Sequence, residues 1–419
     1  MNARTAAAGL GRLLSRRLLD RNPVPRSWDH VTKVDPEPAK RLSLLFPLYL
    51  DGTDAVEVGG SRGVTAADAI ATFDLLRATP TPTLQEPSGP AQVTPETVAA
   101  ADLLAVPEVL NGDTGALVGE LGAAVERVHE AFVPAVLDDA APWLPGVVRR
   151  RLADWGTDVL LGGAAFEAYI VQNPDSAAAR ESGVGADDVL DAVEARRRAV
   201  AAERHLDSEV VYLEYSGTYG GEAALTTLRE LDDALGEARL WYGGGVDDAT
   251  KAAAVRAAGA ETVVVGDAFH RVAEAEASLL SAADDAGLAA DPEVVREWVG
   301  NAYDPETAAS YLATQPTTDE PKPRARELAA TAVFGWRVAA ELADDGTDHR
   351  SPARIVADHG RKLSPVVDAL KPVLNDEAAT AFARDLVATL VAARRDEPDR
   401  APLSTTHLAV PAAEAVQTR

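Results

Sequence analysis

The chain contains no cysteine, which excludes disulfide bonds, thiolate metal ligands and a cysteine nucleophile. It also has no apolar run near the roughly 20 residues that a membrane-spanning helix needs. Residues 1–21 carry scattered arginines instead of an uninterrupted apolar stretch, so no secretory signal peptide is expected. These absences predict a cytoplasmic protein.

Lysine is scarce as well. Only six of the 40 basic residues are lysines, against 66 acidic residues, and the net charge is −26. This balance argues against nucleic-acid binding through a broad basic face. An excess of carboxylates with few lysines is typical of proteins from a salt-rich cytoplasm, where ions screen the repulsion between surface charges. An acidic protein from a high-GC genome is the other interpretation.

The most informative stretch covers residues 209–270. Short apolar runs at 210–213, 240–242 and 263–265 each end near glycine and precede an amphipathic segment, which is typical of parallel βα units. Glycine at a strand end lets backbone N–H groups approach an anion, and the next helix points its positive end there. Two successive glycine turns predict a phosphate site after the last strands of a (β/α)8 TIM barrel. Ordinary tight turns in another α/β fold are the alternative.

Five earlier strands are predicted from the same alternation, and the fourth is expected to be irregular because it contains Pro107. Their approximate positions are 28–36, 52–61, 79–88, 103–110 and 168–174. Lys33 and Asp35 alternate with Val34 at the carboxyl end of the first strand. A cation beside a carboxylate suits a phosphate plus a divalent metal, whereas a surface ion pair is the simpler alternative.

The chain is longer than one barrel requires, so it is predicted to contain further parts. The barrel is assigned to 22–287, with an insertion at about 112–163. Residues 288–395 are predicted to form an appended α-helical domain of unknown purpose, and 396–419 a flexible tail. The basic amphipathic segment 1–21 is expected to be a terminal helix packed on its own domain or a disordered start; an interfacial helix lying on an anionic membrane is the functional alternative.

Five motifs stand in the order and spacing of a known family. They are residues 30–36 (HVTKVDP), 52–61 (GTDAVEVGGS), 212–217 (YLEYSG), 242–245 (YGGG) and 264–267 (VVGD). Together they resemble the geranylgeranylglyceryl phosphate synthase family, which includes bacterial heptaprenylglyceryl phosphate synthases. The resemblance covers roughly 28–286, and Gly266-Asp267 departs from the commoner Gly-Asn. The insertion matches poorly, and the chain after about 288 lies outside the resemblance.

The resemblance implies a prenyltransferase of archaeal ether-lipid synthesis. Such an enzyme joins a polyprenyl diphosphate, with geranylgeranyl as the expected chain, to the 3-hydroxyl of sn-glycerol 1-phosphate, and releases diphosphate. It implies Mg²⁺ held by Asp35 and Ser61, and a homodimer. The residues it implies for sn-glycerol 1-phosphate are Lys33, Tyr212, Leu213, Glu214, Tyr215, Ser216, Gly217, Gly245, Gly266 and Asp267.

Glu214 is the candidate general base, because strand alternation places it on the same face as Tyr212 and Ser216. A purely hydrogen-bonding role toward the glycerol hydroxyls is the alternative. The carboxylate of Asp267 would repel a phosphate, so this residue is expected to bind through its N–H while its side chain points away.

Two other functions remain open from the sequence. A different phosphate-binding barrel enzyme, such as an isomerase of small phosphorylated metabolites, would share the backbone phosphate site but would not need the Lys33, Asp35 and Ser61 set. A non-catalytic paralogue could serve as a scaffold for the C-terminal helices.

Overall fold

A computed structural model of the chain describes residues 22–60, 63–344 and 350–411. The basic amphipathic segment 1–21, the predicted metal ligand Ser61 and the last part of the predicted tail lie outside the described residues. Among the described helices, none is both long enough and apolar enough to cross a membrane.

Eight parallel strands form a closed barrel in the order of the chain, which confirms the predicted fold. The strands are β1 (His30–Val34), β2 (Ala55–Gly59), β3 (Thr83–Glu86), β4 (Leu103–Val109), β5 (Ala165–Val171), β6 (Val210–Glu214), β7 (Arg239–Gly243) and β8 (Thr262–Val265). In seven of the strands the valines and leucines that predicted them are buried, because a parallel strand is covered on both faces. In β4, Leu103, Val106 and Val109 are only partly buried.

The expectation of an irregular fourth strand is wrong. Pro107 lies inside β4 and is in register with Glu167 of β5. Successive residues of a strand direct their N–H groups to opposite neighbours, so a single proline removes only one bond from one ladder.

Helices follow the strands as a (β/α)8 fold requires. Those up to the end of the barrel are α1 (Phe46–Tyr49), α2 (Ala66–Leu76), α3 (Pro95–Ala100), α4 (Glu120–Arg127), α5 (Val133–Ala140), α6 (Gly146–Gly163), α7 (Ala177–Ser182), α8 (Ala192–Ala201), α9 (Gly221–Asp232), α10 (Ala249–Ala257) and α11 (Asp267–Asp285). The predicted insertion between β4 and β5 contains α4, α5 and α6.

The C-terminal helical region is present. It consists of α12 (Pro292–Ala302), α13 (Glu306–Leu312), α14 (Pro321–Asp344), α15 (Pro352–Asp358), α16 (Ser364–Leu370) and α17 (Asp376–Arg394). The sequence predicts one helix over 291–312, whereas the structure has two. It also predicts a linker up to 324, whereas α14 already begins at Pro321, since proline is compatible with the first turn of a helix.

Contacts between residues divide the chain into two compact units. One contains Leu103–Gly244 and Ala254–Val263 with the described residues before His30; the other contains His30–Asp102, Gly245–Ala253 and the chain from Val264 onward. The C-terminal helices therefore belong to the same contact unit as β1, β2 and β3.

Tyr311 on α13 shows how the C-terminal region is joined to β1 within the second unit. Its side chain is fully buried, its hydroxyl lies 2.8 Å from Thr32 Oγ1, and its ring centroid is 5.1 Å from that of Phe269 on α11. Nearby, Thr314 Oγ1 lies 3.0 Å from His30 Nε2. The outward face of β1 thus carries hydroxyl and imidazole groups whose partners come from the C-terminal helices.

The expected flexible tail is packed over its described part. Leu408 forms a parallel bridge with Leu42, and Leu408 and Ala409 are fully buried. The sequence predicts a flexible tail from residue 396, whereas in the structure the short apolar run at 408–410 is stabilised by burial.

Glu276 on α11 is a buried carboxylate that holds the loop after β1. It accepts hydrogen bonds from the N–H of Leu44 at 2.5 Å and from Ser43 Oγ at 2.9 Å. Burial raises the pKa of Glu276 from 4.5 to about 7, against the opposing effect of these two donors.

We expect Glu276→Gln to remove a pH dependence of stability. Between pH 4.5 and about 7 the unfolded chain releases the Glu276 proton while the folded chain keeps it, so this group lowers the free energy of unfolding as the pH rises. The loss amounts to about 3 kcal/mol at most. Urea unfolding from pH 5 to pH 8 should therefore show the variant gaining on the wild type. Glu274→Gln, an exposed position on the same helix, should track the wild type; a parallel pH course for all three proteins contradicts the prediction.

Candidate functional site

A cation and two carboxylates meet at the ends of β1, β2 and β3. Lys33 Nζ lies 2.9 Å from Glu57 Oε1 and 2.5 Å from Glu86 Oε2. The register explains the contact, since Lys33 is paired with Glu57, and Glu86 with Gly59 two residues further along β2. Glu57 is fully buried and Lys33 is partly exposed. The ammonium of Lys33 is thus the accessible end of a buried charge cluster.

Electrostatics in this cluster favour a neutral Glu57 near pH 7. Burial raises the pKa of Glu57 to about 8, with Lys33 lowering it and Glu86 raising it. One ammonium cannot compensate two carboxylates in a site of low polarity, so one of the two keeps a proton. Neither glutamate is among the site residues predicted from the sequence. The signal that the sequence contains is the single charge of Glu57 between Val56 and Val58.

Asp35 directly follows β1 and is held at its backbone and at its side chain. Its carboxylate accepts a hydrogen bond from Lys40. Its N–H donates to His270 Nε2 at 3.0 Å, so that ring nitrogen carries no proton. Burial lowers the pKa of His270, which Asp35 opposes, and this favours the neutral ring. Neither Lys40 nor His270 is predicted from the sequence, because the folded loop brings Lys40 to Asp35 and the packing of α11 brings His270 there.

The turn between β8 and α11 lies against Lys33. A Cβ built on Gly266 would be 3.5 Å from the carbonyl oxygen of Lys33, so four of the predicted residues (Lys33, Asp35, Gly266 and Asp267) lie at the same end of β1. The carboxylate of Asp267, the first residue of α11, acts electrostatically on Lys40 and His270 and raises the pKa of Lys40 together with Asp35. Gly245, after β7, has φ +53°.

The residues around Asp35 fit a magnesium ion. Mg²⁺ prefers oxygen ligands and is usually bound by one or two carboxylates plus water and substrate phosphates. Asp35 offers one such carboxylate, whose side chain is 22% exposed. Ser61 is outside the described residues, but Gly60 before it lies against Pro36, the residue after Asp35: a Cβ on Gly60 would be 3.0 Å from Pro36 Cδ.

In the other unit, Glu214 ends β6 and is almost completely buried. The Ser216 hydroxyl donates a hydrogen bond to Glu214 Oε1, and the carbonyl of Ser216 accepts one from Asn173 Nδ2 at 2.6 Å. Gly217 follows with φ +79°, a left-handed conformation that favours glycine. The predicted side-by-side placement of Glu214 and Ser216 is therefore present.

Aromatic rings surround this strand end. Tyr212 stacks on Tyr169 of β5 with ring centroids 4.4 Å apart. A Cβ on Gly243 would lie 2.0 Å from the Tyr212 hydroxyl oxygen, and one on Gly244 2.4 Å from Tyr215 Cβ. Two glycines of the predicted phosphate turn are thus required by tyrosine packing, which is a reason for glycine that the sequence analysis did not consider.

Leu213 belongs to the residues predicted to bind sn-glycerol 1-phosphate, but its side chain does not lie on the same face of β6 as those of Tyr212 and Glu214. It is fully buried, and strand alternation directs it to the face opposite Tyr212 and Glu214. Its side chain packs in the barrel wall, and only its backbone is left for the predicted role.

The similarity to known proteins covers the barrel part of the chain. The model of the PcrB family matches residues 24–283. Geranylgeranylglyceryl phosphate synthase of Halobacterium salinarum is 36% identical over 247 residues, covering 58% of this chain and 88% of that protein. The synthase of the same name from Methanoregula boonei is 32% identical, covering 62% and 98%. Heptaprenylglyceryl phosphate synthase of Brevibacillus brevis is 30% identical, covering 58% and 90%.

A solved structure is also similar. The crystal structure of (S)-3-O-geranylgeranylglyceryl phosphate synthase from Thermoplasma acidophilum in complex with sn-glycerol-1-phosphate is 21% identical, with a TM-score of 0.44, covering 62% of this chain and 91% of that one. A likeness of this degree supports no conclusion about the present chain.

Proposed function

Because the chain belongs to the PcrB family, we propose that it is a prenyltransferase of ether-lipid synthesis. It would join a polyprenyl diphosphate, with geranylgeranyl as the expected chain, to the 3-hydroxyl of sn-glycerol 1-phosphate and release diphosphate. Support comes from two relatives named geranylgeranylglyceryl phosphate synthase, which the chain matches over 88% and 98% of their length. The structural observation that carries the proposal is the buried Glu214 at the end of β6, paired with Ser216.

Glu214 is the proposed base. In the reaction, the bond between the allylic carbon and the diphosphate oxygen breaks, and the glycerol 3-hydroxyl oxygen bonds to that carbon. The hydroxyl must lose its proton, and a buried carboxylate within hydrogen-bond reach can accept it. Ser216 donates to one carboxylate oxygen and so orients the group. The resemblance assigns the flanking Tyr212 and Tyr215 to the walls of the glycerol phosphate pocket.

Lys33 is proposed to bind the phosphate of sn-glycerol 1-phosphate, with the backbone of Gly245, Gly266 and Asp267. A dianion near Glu57 and Glu86 would be repelled if both were ionised. The raised pKa of Glu57, about 8, keeps a proton in the cluster at neutral pH and leaves Lys33 with charge to offer.

Asp35 and Ser61 are proposed to hold Mg²⁺, which would neutralise the charge of the diphosphate and make it a better leaving group. Lys40 forms an ion pair with Asp35 in the structure, and its ammonium is proposed to face the diphosphate as well. His270 of α11 accepts the N–H of Asp35 and so keeps this residue in place.

We expect Asp35→Asn to raise the Mg²⁺ concentration needed for half-maximal turnover by about tenfold or more, because a neutral amide is a poorer ligand for a hard dication. Titration of turnover against Mg²⁺ at saturating substrates is the measurement. Asp51→Asn, at an exposed position of the same unit, is the control and should keep the wild-type requirement. An unchanged requirement in Asp35→Asn would remove Asp35 from the metal site.

One incubation tests the proposed activity: sn-glycerol 1-phosphate, geranylgeranyl diphosphate and Mg²⁺ in high salt, with chromatography of the lipid product. An ether-linked glyceryl phosphate and released diphosphate are expected, and farnesyl and heptaprenyl diphosphates in parallel report the chain length. If the folded protein yields no product with any prenyl donor, it is either a scaffold or an enzyme acting on another phosphate ester.

The homodimer and the membrane contact of residues 1–21 remain predictions. Light scattering after size-exclusion chromatography measures the first. Liposome flotation of the full chain against a chain lacking residues 1–21 measures the second, and equal flotation of the two proteins would contradict it.

A further inference from the structure

The loop after β1 is held from the C-terminal end of the chain. We define the C-terminal strap as residues 404–410. Its backbone pairs with Leu42: the N–H of Leu42 donates to the His407 carbonyl, and the N–H of Ala409 donates to the Leu42 carbonyl, both at 2.8 Å. Arg41 Nη1 donates to the carbonyl of Val410 at 2.7 Å. The strap is thus attached beside Lys40 and close to Asp35.

His407 connects the strap to the other end of the same loop. The side chain is almost completely buried, and Nε2 lies 3.2 Å from the carbonyl oxygen of Pro36. A carbonyl only accepts, so the proton of the neutral ring is on Nε2. Nδ1 is then the acceptor for the hydroxyls of Ser404 and Thr406, at 2.8 and 3.0 Å. The ring is fixed at both nitrogens, with its N–H directed at the residue that follows Asp35.

Asp35 therefore lies between two fixed peptides, one directly before it and one a residue further on. Its own N–H donates to His270 of α11, and the carbonyl of Pro36, in the peptide that joins Pro36 to Glu37, accepts from His407. Further along the loop, Glu276 of α11 binds Ser43 and Leu44, and the strap binds Leu42. Removing the His407 ring takes away the contact at the Pro36 carbonyl, while Arg41 and Leu42 further along the loop stay bound to the strap.

We propose that His407 is a positioning residue for the divalent metal site: through the Pro36 carbonyl, the strap holds Asp35 in the orientation that binds the ion. This inference rests on the proposed function, because it takes Asp35 as the metal ligand. The strap lies beyond residue 283, where the family match ends, so the device belongs to the C-terminal region of this chain and gives that region a part in the site.

The test uses the full chain and two measurements that need no turnover. The first is hydrogen exchange of peptides covering residues 36–44 in metal-free protein. The second is Mn²⁺ binding followed by electron paramagnetic resonance. In His407→Ala we expect faster exchange of these amides, and a dissociation constant for Mn²⁺ raised about tenfold, as is usual when a group orienting a metal ligand is lost.

Rescue and control variants separate positioning from a general loss of stability. His407→Gln keeps an N–H that reaches a carbonyl and should restore most of the Mn²⁺ affinity. His359→Ala is the matched control. His359 is a half-buried histidine of the same unit, and its Nδ1 hydrogen-bonds the carbonyl of Ile355 one helical turn earlier. The His359→Ala protein should bind Mn²⁺ like the wild type. If His407→Ala does not fold, Ser404→Ala combined with Thr406→Val frees the ring and should give a smaller loss of the same kind.

Two results would overturn the proposal. The first is wild-type hydrogen exchange and Mn²⁺ affinity in His407→Ala, or in the double variant if His407→Ala does not fold. The second is a His407→Gln protein that is as impaired as His407→Ala. The proposed activity is judged separately by the lipid product. A protein that makes the ether but ignores these substitutions refutes the positioning role alone; one that shows the metal effect without making the ether refutes the proposed reaction alone.

Discussion

Glu214→Gln is expected to lower kcat by about 10²- to 10⁴-fold, the usual contribution of a positioned general base, with little change in the KM for sn-glycerol 1-phosphate. Glutamine has the same shape and can still accept the Ser216 hydrogen bond, but it cannot take the proton from the glycerol hydroxyl. Equal loss in kcat and kcat/KM is the signature of an interaction made only in the transition state.

The control for this variant is Glu222→Gln, an exposed position near the start of α9, which should keep wild-type turnover. A steady-state assay of both proteins with saturating Mg²⁺ decides the matter. Full turnover in Glu214→Gln would leave Glu214 with a hydrogen-bonding role only. A raised KM with an unchanged kcat would lead to the same conclusion, since it reports uniform binding of substrate and transition state.

A chain ended after Ala290 is expected not to fold in isolation. The deletion removes α12 to α17 and the strap, and it uncovers apolar and polar groups of the second unit together. Phe269 on α11 would lose the ring of Tyr311, and Phe46 on α1 would lose the ring of Phe382, 5.5 Å away. Thr32 would lose the Tyr311 hydroxyl and keep only that of Thr53 among its hydroxyl partners in the described residues. Each buried aromatic contributes on the order of 3 kcal/mol, so a few such losses are as large as the whole stability of a typical domain, about 5–15 kcal/mol.

Circular dichroism and urea unfolding in high salt measure the effect of this truncation. A soluble truncated protein with a cooperative transition would contradict the prediction and would show that the family-matched part, residues 24–283, is sufficient for the fold.

Single substitutions measure how much one contact of the C-terminal helices contributes to the free energy of unfolding. Tyr311→Ala should cost about 3–5 kcal/mol, and Tyr311→Phe about 1–3 kcal/mol, because Thr32 then loses a buried partner. Trp143→Ala is the aromatic control. Trp143 is 78% exposed on the insertion, so its loss should stay within about 0.5 kcal/mol. Equal costs at Tyr311 and Trp143 would contradict the structural role assigned to the C-terminal helices.

Much of the barrel was predictable because its signals are local. Apolar runs ending at glycine mark β6, β7 and β8, and alternation within β6 already places Glu214 and Tyr212 on one face. The prediction of an irregular β4 was wrong because Pro107 removes one hydrogen bond and does not disturb the rest of the strand. The prediction of a flexible C-terminal tail was also wrong, because the three apolar residues at 408–410 anchor it.

The candidate site divides in the same way. Lys33, Asp35, Gly266 and Asp267 were found because motif and spacing carry them, and Ser61 lies outside the described residues. Glu57, Glu86, Lys40, His270 and His407 were missed. Each of these acts only through a partner brought near by the fold, such as Pro36, which is 371 residues away from His407.

The amino-acid sequence by itself determined the alternation of strands and helices, and the faces of the strands on which the candidate side chains lie. These follow from backbone geometry and burial within segments of ten to thirty residues. Only the tertiary structure decided that Lys33 shares its charge with two glutamates, that Tyr311 of the C-terminal region covers Thr32 of β1, and that α11 and the C-terminal strap hold the Asp35 loop. Register between strands and packing between distant segments set those contacts, and neither is encoded in a local pattern.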